Sequence, residues 1–299
     1  MQDTLVRAIG AYVNIRCMAA VTTHLVEEAR RRHDTYPTAT VALGRALTGG
    51  ILLGGLLMGD ERVNLQINGR GPLRSIVVDA DAYGHVRGFV RHPHTQMPLR
   101  EGKISVKEAI GAGTLQVLKI QTNQKEPYRG IVPLVSGEIA KDLTAYLVNS
   151  EQVPSAVALG VYIEKDTRVA ASGGFIVQAL PGAQDREIAI VEENIAALPP
   201  CSEMILNGLG PRDIIARVME GITIKFLEEK EISFQCRCSK DRVIRIMIAL
   251  GPEEIRDILV KEGEAKASCE FCKQNYVVTG DELKQLLEEI EAMPESPEP

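Results

Sequence analysis

No tryptophan occurs among the 299 residues, and aromatic side chains make up only 4% of the chain. A core must therefore be filled mainly by Leu, Ile, Val and Ala. No uncharged run is long enough to cross a bilayer: the one over residues 46–59 holds 14 residues and is rich in glycine, where a membrane span needs about 20 apolar residues. That run reads as a buried helix. The first residues lack the continuous apolar stretch of a secretory signal, since Asp3 and Arg7 interrupt it, and the expectation is a cytoplasmic protein. No GxxxxGK[ST] pattern appears, so no phosphate-cradling loop is expected. Basic excess is absent too. The net charge is -6 and the pI about 5.6, which argues against a broad surface for nucleic-acid phosphates.

What is present is ordinary globular composition, 45% apolar and 25% charged, in a length that suits one large domain plus a small one. Charge is not spread evenly. From Ser233 to Pro299 there are 9 Lys and Arg against 14 Asp and Glu, net -5, whereas residues 1–232 are nearly balanced. The acidic tail also carries four of the six cysteines.

Periodicity predicts strands over residues 5–9 and 12–19, the second placing Val13, Ile15, Cys17 and Ala19 on one face. Helices are expected over 23–32 and 38–58, the latter with glycines that suggest close backbone packing. An antiparallel meander follows through residues 63–67, 76–78 and 86–90, then a strand near 115–121 and a helix over 137–148. A second helical stretch is expected around Val153, and strands return at 162–164 and 174–178. Mixed strand runs and helix pairs without regular βαβ alternation indicate an α+β fold. The expected organisation is an N-terminal domain over 1–180, a helical linker over 181–232, a small C-terminal metal-binding domain over 233–291 and a disordered end over 292–299. The linker, with Ile188, Val191, Ile205, Ile214 and Val218, is too apolar to lie free in solvent.

Cys236 and Cys238 form one pair and Cys269 and Cys272 another, with 30 residues between them. In a reducing compartment such clusters are metal ligands or redox sensors rather than structural disulfides. Four thiolates make a closed tetrahedral zinc site with no position for substrate, so the expectation is one Zn2+ per chain and no catalytic metal. The alternatives are a zinc that only staples a small domain, a zinc-ribbon regulator that binds nucleic acid, and a thiol oxidoreductase using Cys269 and Cys272. The CxC spacing differs from the usual ribbon, and the acidic tail suits no nucleic-acid partner. A switch is physically available. Structural zinc contributes roughly 10 to 16 kcal/mol in small modules, and thiolates are the reactive form of cysteine, so oxidation into disulfides would destroy the ligand set and unfold the tail.

The residues around these cysteines, Phe234 through Val243, then Ala249 to Gly251 and Cys269 to Cys272, resemble the 33 kDa chaperonin family. So do the body segments that begin at Gly130, Ser150 and Gly173. The resemblance covers essentially the whole chain. It implies an ATP-independent holdase, not an enzyme, that binds unfolded proteins under oxidative stress. Such a protein is inactive when reduced and zinc-bound, and active once oxidant and mild heat release zinc. It also implies disulfides joining Cys236 to Cys238 and Cys269 to Cys272 and a homodimer when oxidised; the charge balance and the lack of a bilayer-length apolar run predict no nucleic-acid or membrane partner. The remaining signals are read as structural: Cys17 and Cys201 as buried side chains, and His85, His92 and His94 as surface residues.

Overall fold

The computed structural model describes residues 2–100, 103–121 and 127–292. The chain divides into two compact units, Met1–Gln235 and Cys236–Pro299. In the first, the elements run β1 (Thr4–Gly10), β2 (Ile15–Val21), α1 (Thr23–His33), α2 (Pro37–Gly54), β3 (Arg62–Gly69), β4 (Ser75–Asp81) and β5 (His85–Val90). Next come β6 (Leu99–Arg100), β7 (Lys103–Ile104), α3 (Val106–Ile110), β8 (Gly113–Ile120), β9 (Tyr128–Pro133), α4 (Ile139–Asn149), β10 (Ser155–Ile163) and β11 (Val169–Ala179). Helices α5 (Asp185–Ala197), α6 (Cys201–Leu206) and α7 (Pro211–Val218) follow, then strands β12 (Ile224–Glu231) and β13 (Ser233–Phe234). The fold is α+β, as the sequence indicates.

Two sheets carry this unit, with strand orders β10-β11-β2-β1-β12 and β13-β5-β4-β3-β8-β9. Helix α2 lies between them. Proline at its first turn suits helix initiation, and 16 of its 18 residues are buried. They pack with Leu5, Met18 and Ile176 of one sheet and Leu65, Val78 and Val86 of the other in a single core. A Cβ at Gly50 would lie 2.7 Å from Val78 Cγ1; glycine weakens a helix, and here it allows the sheet to approach. The helix stops at Gly54, short of the expected residue 58. Past Gly55 the amides bond three residues back instead of four, Leu56 to Leu53 O and Leu57 to Gly54 O.

The outer face of the first sheet is also apolar. Val6, Ala8, Ile15, Cys17, Ala19 and Phe175 lie beneath Val191, Met204, Ile205, Ile214, Ile215 and Val218 of α5, α6 and α7. With Met18 and Ala20 facing the other core, β2 is buried on both sides and its alternation disappears.

Three expectations need correction. Residues 12–14 form a bend rather than strand, with Ala11 N bonded to Thr223 O. Around Val153 there is no helix: Gln152 takes a left-handed φ of 57°, and Pro154 forces the residue before it toward extended backbone, which leads into β10. Residues 181–232 are not helical throughout. Beyond Val218 the chain becomes β12, an edge strand antiparallel to β1. Its charged sequence hides it from a periodicity search, and main-chain pairing with the Arg7 to Glu228 contact at 3.2 Å holds it.

The second unit comprises α8 (Lys240–Leu250), α9 (Pro252–Lys261), β14 (Ala265–Ser268), β15 (Asn275–Val278) and α10 (Gly280–Ala292). Its core is small, built on Met247, Ile255, Val278, Leu283, Leu286 and Leu287. Helix α10 includes position 292; the remainder of the end expected to be disordered, 293–299, lies outside the described residues.

Helix α6 is seated where the sheet offers no side chain. A Cβ at Gly160 would lie 2.5 Å from Ser202 N. Gly160→Ala is expected to lift α6, so hydrogen exchange should quicken over residues 201–206 and stay slow in β3 and β4. Unchanged exchange in α6 would contradict this seating.

Candidate metal centre

The first cysteine pair lies in extended chain between β13 and α8. Ser239 ends that segment as the N-cap of α8, its Oγ accepting from Arg242 N at 3.2 Å, a role for which serine is well suited. The second pair occupies the turn of the β14–β15 hairpin, in register from Ala265↔Val278 to Ser268↔Asn275. Cys269 N donates to Gln274 O at 2.9 Å and Lys273 N to Cys269 O at 2.8 Å. Lys273 closes the turn at φ 59°. The amides of Phe271 and Cys272 face the Cys269 sulfur, and that of Gln274 faces the Cys272 sulfur.

This geometry brings the four predicted cysteines together, with all four Sγ atoms within 4.8 Å of one another. Cys236 and Cys269 sulfurs are 3.7 Å apart and those of Cys238 and Cys272 3.3 Å apart. None of the four is in a disulfide. A tetrahedral ion with Zn–S near 2.3 Å requires sulfur–sulfur edges of about 3.8 Å, so the donor set fits such an ion closely. Cys272 is buried and the other three are half-buried. Burial first, and the neighbouring sulfurs next, push the Cys272 thiol well above its ordinary range; burial also raises Cys269. Crowded thiolates are unfavourable without a cation. A bound cation reverses this, so binding must release protons.

Tyr276 is the residue the sequence reading missed. Its hydroxyl donates to Cys238 Sγ at 3.1 Å, and this hydrogen bond pushes its pKa up to about 12. The available signal was a tyrosine four residues after Cys272, on a strand that starts from the ligand turn. Lys240, two residues after Cys238, binds Glu282 at 2.5 and 2.8 Å. It therefore serves the α8–α10 contact.

The other candidates do not converge. His85 Nδ1 is 3.2 Å from Asp81, His92 Nδ1 is 2.8 Å from Pro72 O, and His94 Nε2 is 3.1 Å from Asp34. Cys17 on β2 and Cys201 on α6 are buried in the core that the first sheet shares with α5–α7, and burial pushes the Cys201 thiol up to about 12. Among the described residues, the four cysteines are the only group placed to share a metal ion.

Cys272→Ser is expected to abolish stoichiometric zinc binding and to unfold the second unit. Metal-linked folding in small modules is worth roughly 10 to 16 kcal/mol. Zinc titration with a chromophoric chelator and far-UV circular dichroism provide the check; full metal content with an intact fold would contradict it.

Comparison with known proteins places this arrangement in a family. The sequence model described as Hsp33 protein matches residues 3–279. A 33 kDa chaperonin of Geobacillus sp. (strain WCH70) is 44% identical over 294 residues, covering 98% of this chain and 99% of the relative. That of Geobacter sulfurreducens is 45% identical over 291 residues, covering 97% of each. The crystal structure of the 33 kDa chaperonin (heat shock protein 33 homolog) from Thermotoga maritima superposes with a TM-score of 0.89 at 35% identity, covering 97% of this chain and 99% of that one. The match runs through both units, and the chain belongs to the Hsp33 family of chaperones.

Proposed function

We propose that this chaperone is a redox-controlled, ATP-independent holdase, without enzymatic turnover, that binds unfolded proteins when oxidant reaches the four-cysteine cluster. The observation that carries the reading is the gathering of Cys236, Cys238, Cys269 and Cys272 around a common centre in a unit with a small core. In the reduced protein these residues hold one Zn2+, which compensates the charge of four thiolates and contributes most of the folding free energy of the second unit. Each disulfide, Cys236 to Cys238 and Cys269 to Cys272, removes two donors from the set. With its donors lost, the unit has few buried apolar side chains left to order it.

The strap before Cys236 is held by short contacts. Ser233 N donates to Gly84 O at 3.1 Å and Gln235 N to Val86 O at 2.9 Å, while Arg32 lies 5.5 Å over the Phe234 ring. Upstream of it, α5–α7 cover the apolar face of the first sheet. Uncovering that face would present contiguous apolar surface from both the helices and the sheet, the surface an unfolded client needs. The oxidised protein is read as a homodimer in the cytoplasm, with neither nucleic acid nor membrane as partner. Among the described residues no helix is long and apolar enough to cross a membrane. No observation favours the zinc-ribbon regulator, and the family match over residues 3–279 stands against it.

The test is aggregation of a denaturant-unfolded client followed by light scattering. Protein pre-treated with peroxide at elevated temperature should suppress aggregation at near-stoichiometric ratio, and reduced, metal-loaded protein should not. Equal suppression by both forms would sink the redox part of the proposal.

A further inference from the structure

Tyr276 stands on β15 opposite Ala267 of β14. Its hydroxyl reaches not a neighbour in the hairpin but Cys238, 38 residues earlier, at 3.1 Å. The phenol therefore joins the hairpin that carries Cys269 and Cys272 to the extended segment that carries the other two sulfurs. Two physical consequences follow. The bond fixes one sulfur of the remote pair against the hairpin, so less freedom is lost when the four donors close on a cation. It also draws electron density from Cys238 Sγ, and a hydrogen bond to an ionised acceptor is stronger than one between neutral groups. A thiolate with its lone pair engaged in this way is the weaker nucleophile.

We propose that Tyr276 is a positioning residue of the four-sulfur site: its hydroxyl holds Cys238 in the ligand set and delays attack by that sulfur on a hydroperoxide. The inference rests on reading the cluster as metal-binding and peroxide-responsive. In the chemistry concerned, a thiolate sulfur attacks one peroxide oxygen and the O–O bond breaks. The departing hydroxide takes a proton and leaves as water; sulfur is oxidised to sulfenic acid and the peroxide is reduced. A neighbouring thiolate then attacks the sulfenic sulfur, forming S–S and releasing hydroxide. With its lone pair engaged by Tyr276, Cys238 takes the second of these roles, and the first oxidation of its pair falls on Cys236.

The experiment compares the full chain with Tyr276→Phe, which keeps the ring and deletes only the hydroxyl. Each protein is loaded with Co2+ for spectroscopy and with Zn2+ for affinity and peroxide reactivity. The variant should show its thiolate-to-Co2+ charge-transfer band at longer wavelength and about tenfold weaker Zn2+ binding. Under excess Zn2+, trapping of sulfenic acid with a dimedone-type reagent should rise at Cys238. A simple packing role for the ring would leave the band where it is. An unchanged band and unchanged affinity, with circular dichroism equal to wild type, would overturn the proposal. If wild-type protein keeps its zinc in peroxide, the redox reading fails, while a shifted band and weakened binding in the variant would still assign the Tyr276 hold on Cys238.

Discussion

Burial of α2 between two sheets is the constraint on which the first unit depends. A helix with 16 of 18 residues buried has no solvent face, so both of its sides must be apolar and close neighbours must shed side chain. That accounts for its glycines and for the single core it shares with both sheets. Because this core is complete without α5–α7, the outer face of the first sheet is a second and separable apolar layer. The fold thus contains a part whose removal would leave the main core packed.

The second unit obeys a different balance. Six buried apolar side chains form the centre of its core, whereas ordering each residue costs about 1.5 kcal/mol of conformational entropy. Convergence of four sulfurs supplies the missing restraint, provided a cation offsets their charge. The same feature that stabilises the unit makes it vulnerable, since thiolates held close together are both good ligands and ready disulfide partners.

Neighbouring groups, not burial, separate the two kinds of cysteine in this chain. Cys17 and Cys201 lie in an apolar layer that suppresses the thiolate, and they behave as small hydrophobes. Burial raises Cys269 and Cys272 as well, but backbone amides face those two sulfurs and the Tyr276 hydroxyl faces Cys238. Spacing separates the two classes in the sequence, and environment gives the physical basis for the separation.

The sequence by itself singled out the four cysteines that meet, because two short-range pairs need only a loop between them, and it determined the amphipathic helices, whose period is local. Tertiary structure alone decided the rest. The strand β12 is charged along its length and exists through pairing with β1, a contact more than 200 residues away in sequence. The layer formed by α5–α7 on the first sheet, which the sequence marked only as too apolar to be free, acquires a partner through the fold. Tyr276 became part of the site because a hairpin and an extended segment meet, and no local pattern encodes a hydrogen bond between residues 38 apart.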